Sequence, residues 1–209
     1  MKKLFILLSL FSFSATADIQ QVTWQALKPT VSEETIQLPE ITEAQKQLLA
    51  SVLHLQFKAD EQSQVKLGKA VSALESQGIN VEKTLKARED YMALEKLKAE
   101  SLNTEITGSN VRMPGFVVPI EFNGIKAVEF LLVPYAGACI HLPPPPANQI
   151  VRLSYPEGFE IENIQYPVWV EGVIEADKQT DEVYLVDGKT QLTMGYSMKG
   201  TKIERYYEQ

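Results

Sequence analysis

The sequence predicts a mainly β, α+β protein: a small OB-like, partly closed antiparallel barrel with a helical insert after its first strand. Three observations support this fold class. A short strand-like segment at 19–24 comes first, and a charged stretch with helical periodicity follows it at 41–104. From about residue 110 the composition changes to Val, Ile, Phe, Tyr, Gly and Pro, which favours short strands bounded by turns. The strands are too few for a large sandwich, so a small barrel is expected.

The amino terminus has the three parts of a secretory signal peptide. Lys2 and Lys3 give a positive start, residues 4–13 are almost all apolar, and Ala15-Thr16-Ala17 is a small-x-small cleavage site. A membrane anchor is the alternative, but the apolar run is far shorter than the roughly 20 residues that span a bilayer. We therefore expect cleavage after Ala17 and a location in the periplasm of a Gram-negative bacterium.

The predicted boundaries divide the chain into four parts. These are the signal peptide at 1–17, the first strand and an extended lead-in at 18–40, the helical insert at 41–104 and the OB-like barrel at 105–209.

Charge and cysteine content restrict the possible functions. Removing Lys2 and Lys3 with the leader takes the formal net charge from −7 to −9, which argues against a nucleic-acid partner. No second apolar span is present, so no membrane span is expected after cleavage. Cys139 is the single cysteine, and in an oxidising compartment an unpaired thiol is expected to be buried, metal-bound or reactive.

Capping signals and apolar periodicity predict the helices of the insert. Thr42 and Gln45 have capping-box spacing, Gly78 is a typical helix stop, and Asn80 is a typical N-cap. The helices are expected at 42–58, at 63–77, and from Asn80 to about residue 103.

Turn residues separate the predicted strands. Asn123-Gly124 and Asp187-Gly188 are typical of tight hairpins. The strands are expected at 19–24, 110–122, 126–134, 138–142, 150–154, 166–176, 182–186, 191–196 and 203–207.

Three runs of residues carry a resemblance to a known family. They are Arg-Met-Pro-Gly-Phe-Val-Val-Pro at 112–119, Gly-Ala-Cys-Ile-His at 137–141 with the prolines and Asn-Gln that follow, and Pro-Val-Trp-Val-Glu-Gly at 167–172. Over residues 110–207 the chain resembles a bacterial envelope family of unassigned biochemical function. The resemblance implies an OB-like barrel, an envelope location, and genes found beside ABC-transporter permease and ATPase components and, in some bacteria, zinc-regulated genes.

Cys139 and His141 are the candidate metal ligands. On a strand, residues i and i+2 project from the same face, and a thiolate with an imidazole suits Zn or Cu(I). Candidates for further ligands are Glu121, Glu129 and Glu171 for zinc, and Met194 and Met198 for copper. Two alternatives stay open: Cys139 is a buried structural residue, or it is a reactive nucleophile whose pKa a neighbouring imidazolium lowers.

The proline run is the candidate docking segment. Pro143, Pro144, Pro145 and Pro146 favour a stiff polyproline II rod, which could dock a partner or could fix the path of the chain and present Asn148 and Gln149. No catalytic residue or firm cofactor is predicted, because the common enzyme motifs are missing.

The leading hypothesis is a non-enzymatic periplasmic binding or adaptor protein. We expect it to serve an ABC-transport system, with zinc or another metal as a candidate cargo and an envelope protein, such as a permease or a periplasmic component, as partner. The alternatives are a metal-handling protein using Cys139 and His141, and a thiol-dependent enzyme with Cys139 as nucleophile.

Overall fold

A computed structural model describes residues 19–29, 35–139, 142–165, 167–185 and 188–207. The predicted signal peptide, His141 and Asp187 lie outside the described residues. The chain forms two compact units: residues 28–102, here called the helical unit, and the residues up to Leu27 together with those from Asn103 onward, here called the sheet unit. No helix in the described part of the chain is long and apolar enough to cross a membrane.

The helical unit contains three capped helices, as predicted. They are α1 at Glu43–Leu55, α2 at Glu61–Glu75 and α3 at Val81–Glu100. The capping box at Thr42 and Gln45 is confirmed, and Asn80 accepts from the Lys83 amide. Helix α2 starts two residues before the predicted position, because the Asp60 carboxylate accepts from the Ser63 amide and caps it there.

A small apolar core holds the helical unit together. Helices α1 and α2 supply most of it, whereas α3 contributes through its first turns; the buried residues are Leu49, Val52, Ala70, Leu74 and Val81.

The sheet unit contains a mixed sheet of six strands. They are β1 at Gln20–Gln21, β2 at Ser109–Asn123, β3 at Lys126–Val133, β4 at Val151–Phe159, β5 at Val168–Leu185 and β6 at Gly188–Arg205. The order is β1-β2-β3-β4-β6-β5, and β2 also pairs with β5, so five strands close into a ring. The described part of the protein is mostly sheet and has three α-helices. The broad α+β class that the sequence predicted is therefore confirmed.

The sheet is mixed, whereas the sequence predicted a partly closed antiparallel barrel. Strand β4 pairs with β6 in parallel, and the short β1 pairs with β2 in parallel. A ring of five strands cannot alternate direction all the way round, because the number is odd. At least one parallel pair is therefore required, and β4 with β6 supplies it.

Strands β5 and β6 are longer than predicted. The predicted strands 166–176 and 182–186 are joined in the described residues: β5 is continuous from Val168 to Leu185, with a register irregularity between Ala176 and Gln179. Such a bulge adds a residue without ending the pairing, so polar residues in the middle of the segment do not mark a turn. Segments 191–196 and 203–207 likewise belong to or adjoin the single strand β6.

Two local predictions are corrected at turns. The opening strand was expected at 19–24, but a 3-10 turn begins at Trp24, whose indole nitrogen donates to the Pro114 carbonyl at 2.7 Å. The β2–β3 hairpin is present one residue later than predicted. Asn123 pairs with Lys126, which leaves Gly124 and Ile125 as the loop residues, with Gly124 at φ +64°.

Candidate interaction surface

Cys139 lies in a buried turn rather than on the predicted strand 138–142. Its φ is +62°, and Ala138 forms an isolated bridge with Leu142. Pro134, Gly137 and the proline run interrupt any ladder here, so the rule that places residues i and i+2 on one strand face does not apply at Cys139. His141 lies outside the described residues, and its pairing with Cys139 as a metal site stays a prediction.

The Cys139 thiol is surrounded by apolar side chains. Cys139 is 6% exposed and belongs to a core cluster with Val118, Leu131, Val183 and Leu192. Burial raises the pKa of the Cys139 thiol to about 11. At neutral pH the group is therefore protonated, which is the opposite of what a nucleophilic thiol needs.

The other candidate ligands are distributed over separate environments. Met194 shares the core cluster of Cys139, whereas Glu171 lies on β5 and forms an ion pair with Arg112. Glu121 of β2 lies opposite Glu129 of β3 in the strand register, and both residues line a polar cleft of about 390 Å³. Within the described ranges, no group of three or more His, Cys, Asp or Glu side chains is placed to hold a metal ion.

Ion pairs fill the polar cleft. Arg152 donates to Glu129 through Nε at 2.9 Å and Nη2 at 2.7 Å, and to Asp181 through Nη1 at 2.6 Å. These hydrogen bonds, with the bond to Glu129 first, raise the pKa of Arg152. The network joins β3 and β4 to the outer part of β5, so its evident role is to hold that part of the strand in place.

The proline run exposes only some of the predicted docking residues. Pro143, Pro144 and Pro146 are exposed, but Pro145 is buried. Asn148 and Gln149 are 2% and 6% exposed, and Gln149 Nε2 donates to the carbonyl oxygens of Trp24 at 3.0 Å and Asn148 at 2.8 Å. A docking surface in this segment would therefore consist of the three exposed prolines.

The Pro-Gly pair at 114–115 also has a packing role. The Pro114 carbonyl accepts the Trp24 indole hydrogen bond. A β-carbon at Gly115 would lie 2.8 Å from Leu132 Cδ1 and 3.0 Å from Trp24 Cζ2. Glycine at this position lets Trp24 and Leu132 approach the strand, so these residues fasten the opening segment to the sheet.

A stack of aromatic and cationic side chains lies on the outer side of the sheet unit. We call the set Arg112, Trp169, Tyr206 and Tyr207 the aromatic platform. The Arg112 guanidinium carbon is 5.0 Å from the Trp169 ring centroid, and the Tyr206 ring stacks on Trp169 at 5.3 Å and 12°. Tyr207 meets Tyr206 edge to face at 5.5 Å and 79°.

Strand pairing explains how the platform forms. Trp169 lies on β5 opposite Pro114 of β2 and Glu204 of β6. Arg112 is two residues from Pro114 and Tyr206 two residues from Glu204, so Arg112 can reach the Trp169 ring from β2 and Tyr206 from just after the end of β6. The Tyr206 amide donates to the Pro167 carbonyl at 3.1 Å, which fixes the chain just after β6.

Carboxylates hold the cation of the platform in place. Arg112 Nη1 is 3.3 Å from Glu171 Oε1, and its Nη2 is 3.2 Å from Glu204 Oε2. Lys202 donates to Glu204 at 2.6 Å and holds the pKa of Glu204 below its usual value. The charges are balanced, so the platform presents an oriented guanidinium and aromatic rings rather than a net charge.

A shallow cleft adjoins the platform. It has a volume of about 260 Å³ and is lined in part by Val117, Phe159, Pro167 and Tyr207. Tyr206 is 40% exposed and Tyr207 is 72% exposed, so the platform and the cleft together give an accessible, partly apolar surface.

Comparison with known proteins identifies the family of the chain. Residues 24–205 match the family described as "Protein of unknown function (DUF3299)". The chain belongs to the DUF3299 family. A solved structure, that of a DUF3299 family protein from Pseudomonas aeruginosa PAO1, aligns with a TM-score of 0.52 and 22% identity, over 92% of this chain and 99% of that one. At that identity the likeness shows the fold that the two family proteins share. No curated protein matches the chain.

The sequence pattern pointed to parts of the platform without assembling it. Arg112, Trp169 and Glu171 stand in the runs that carried the family resemblance, but Tyr206 and Tyr207 did not stand out. The available signal was the outward alternation of large polar and aromatic residues along adjacent strands. Using it requires the register of β2, β5 and β6, which the sequence does not give.

Proposed function

We propose that this DUF3299 protein is a non-enzymatic binding or adaptor protein of the bacterial envelope, and that a partner protein docks on the aromatic platform. The observation that carries the proposal is the stack of Arg112 on β2, Trp169 on β5, and Tyr206 and Tyr207 just after β6. Both tyrosines are exposed, whereas Arg112 and Trp169 are half-buried.

The residue types of the platform fit a protein interface. Tryptophan, tyrosine and arginine are the side chains that most often dominate the binding energy of protein complexes. Stacking and ion pairing already fix the orientations of Arg112 and Trp169, so little side-chain entropy remains to be lost on binding. The cleft beside Tyr207 offers a place where an apolar anchor from the partner can insert.

The proposed class of partner follows from the predicted location of the protein and from the family resemblance. The signal peptide predicted at 1–17 supports export, and the resemblance implies a genetic association with ABC transport. The partner we propose is therefore an envelope protein of an ABC-transport system, either a permease or a periplasmic component, with zinc or another metal as the candidate cargo.

We infer further that the ring of β2, β3, β4, β6 and β5 is an OB-like barrel. Five strands, a non-sequential order and one parallel closing pair within the ring support this assignment. The long β5–β6 hairpin and the insert between β1 and β2 are elaborations of that plan.

Photo-crosslinking from the platform tests the proposed function. A photoreactive amino acid replaces Tyr207 in the protein made in its own host, and covalent adducts are identified by mass spectrometry after irradiation. We expect one discrete adduct with an envelope transport component. Trp169→Ala should weaken the purified complex by on the order of 2 kcal/mol, roughly thirtyfold in Kd.

Tyr184 provides the matched control position. It is 64% exposed on the outer part of β5 and is not part of the platform. The same photoreactive group at Tyr184 should not give the adduct. An identical adduct from both positions, or full affinity in a folded Trp169→Ala variant, would contradict docking on the platform.

A further inference from the structure

An apolar groove lies within the helical unit. It has a volume of about 550 Å³ and is bounded by the segment before α1, by one face of α1 and by one face of α3. Its apolar walls include Leu38, Ile41, Leu49, Leu53 and Leu85. This volume and composition fall in the range typical of small-ligand sites, about 300–1,000 Å³ with mainly apolar walls.

The helix periodicity explains why the groove is open. On α1, Lys46, Leu49 and Leu53 follow at intervals of three and four residues, so they share one face. Helix α3 packs on the α1–α2 pair near its start, where Val81 and Leu85 contact the small core. A second cavity of about 890 Å³ shares Leu53 and Leu85 with the groove, so apolar space continues along α3.

Two cations stand at the groove. Arg88 lines both cavities, is exposed, and makes no ion pair or hydrogen bond with any described residue. Lys46 lines the groove and pairs with Glu43 at 3.2 Å, but both side chains are more than half exposed, so water screens this pair. Glu40 is the carboxylate among the lining residues.

We propose that this groove binds a free amphiphilic anion with one aliphatic chain, a long-chain carboxylate, whose head group pairs with Arg88 and Lys46. The chain fills the apolar walls and removes them from water. The planar Arg88 guanidinium can donate two parallel hydrogen bonds to a carboxylate, which an alcohol or a cationic head cannot accept in the same way. This site lies in the helical unit and is independent of the aromatic platform.

The test is calorimetric titration of the purified protein with dodecanoate below its micelle concentration. We expect saturable binding of one dodecanoate per chain, with dodecanol and dodecyltrimethylammonium bound at least about tenfold more weakly because they lack the charge-assisted hydrogen bonds. Arg88→Glu should weaken dodecanoate binding about tenfold or more. Lys83→Glu is the matched control, since Lys83 is exposed on α3 and lines neither cavity.

A second variant tests the groove separately from the charge. Ala50 lines the groove from an exposed position on α1, so Ala50→Phe should block the aliphatic chain without removing a core side chain. Ala44→Phe, exposed on the same helix away from the groove, should bind normally. Circular dichroism melts show that each variant is folded.

Three results would overturn the proposal. They are no saturable dodecanoate binding, equal binding of the anionic, neutral and cationic amphiphiles, and unchanged binding in folded Ala50→Phe. Association with anionic phospholipid vesicles in the absence of saturable dodecanoate binding would instead assign the cations to a membrane surface.

Discussion

The chemistry of Cys139 is decided by its surroundings. The thiol is buried among apolar side chains, and this burial raises its pKa from 9.0 to about 11, with no cation among the described residues to lower it. We therefore predict that native protein reacts with a thiol-specific disulfide reagent at neutral pH far more slowly than protein in denaturant. The measurement is the absorbance of the released thiolate over time. Fast reaction of the folded protein, equal to that of the unfolded chain, would restore the nucleophile hypothesis.

The same residue gives a pH dependence with a defined sign. The folded pKa of Cys139 is raised above the unfolded value, so the native state keeps its proton at pH values where the unfolded chain loses it. Its contribution to stability is complete below about pH 9 and decreases as pH rises toward 11. Serine does not titrate in that range. In Cys139→Ser the free energy of unfolding should therefore depend less on pH between about 9 and 11.

The site could be predicted from the sequence only in part. The runs containing Arg112, Cys139 and Trp169 stood out, but the side chain that each one meets depends on strand register and turns. Instead of lying on the predicted strand, Cys139 has a left-handed backbone conformation in a turn, because Pro134 and Gly137 before it and the proline run after it interrupt strand pairing. Tyr207 belongs to the platform only because β6, which it follows, pairs with β5.

At the scale of elements, helices were easier to predict than strands. Local signals fix a helix: the predicted caps at Thr42 and Asn80 each accept from a backbone amide three residues later. Asp60, a cap that the prediction missed, makes the same bond to the Ser63 amide, and the error in the start of α2 was only two residues. The ends of β5 and β6 depend instead on bulges and close contacts between partners. Gly172 and Gly200 face each other where the β5–β6 register shifts, and this contact is invisible in the pattern of either strand alone.

The close approach of β5 and β6 gives a prediction with a matched control. A β-carbon at Gly172 would lie 2.3 Å from the Lys199 carbonyl oxygen and 2.9 Å from Gly200 Cα, so Gly172→Ala must force the backbones apart. We expect a loss of at least about 2 kcal/mol in the free energy of unfolding. Gly68→Ala in α2, where nothing lies within 4 Å, should instead stabilise the protein by roughly 0.5–1 kcal/mol. Urea unfolding measures both, and equal effects would contradict the proposed contact.

At the scale of the whole molecule, the chain leaves and re-enters the sheet unit at one place. The Tyr196 hydroxyl donates to the Leu27 carbonyl at 2.5 Å and accepts from the Asn103 amide at 2.7 Å. The Asn103 side chain also donates to the Ala26 carbonyl at 2.9 Å. These bonds hold the two ends of the helical unit's sequence together from the sheet side, and every residue that makes them belongs to the sheet unit.

We therefore predict that the sheet unit folds when residues 28–102 are replaced by a linker of about four to six Gly and Ser residues, a common length for a connection in a compact domain. The shortened protein should show a cooperative urea transition and a β-type circular dichroism spectrum. In it, Tyr196→Phe should cost about 1–3 kcal/mol, because the buried Leu27 carbonyl and Asn103 amide lose a partner. Tyr135→Phe, at an exposed position, should change stability by less than about 0.5 kcal/mol. If the shortened chain is unfolded, the ring of strands needs the helical unit in order to form. If the shortened chain is folded and Tyr196→Phe does not destabilise it, β1 and β2 hold the two ends together without the tyrosine.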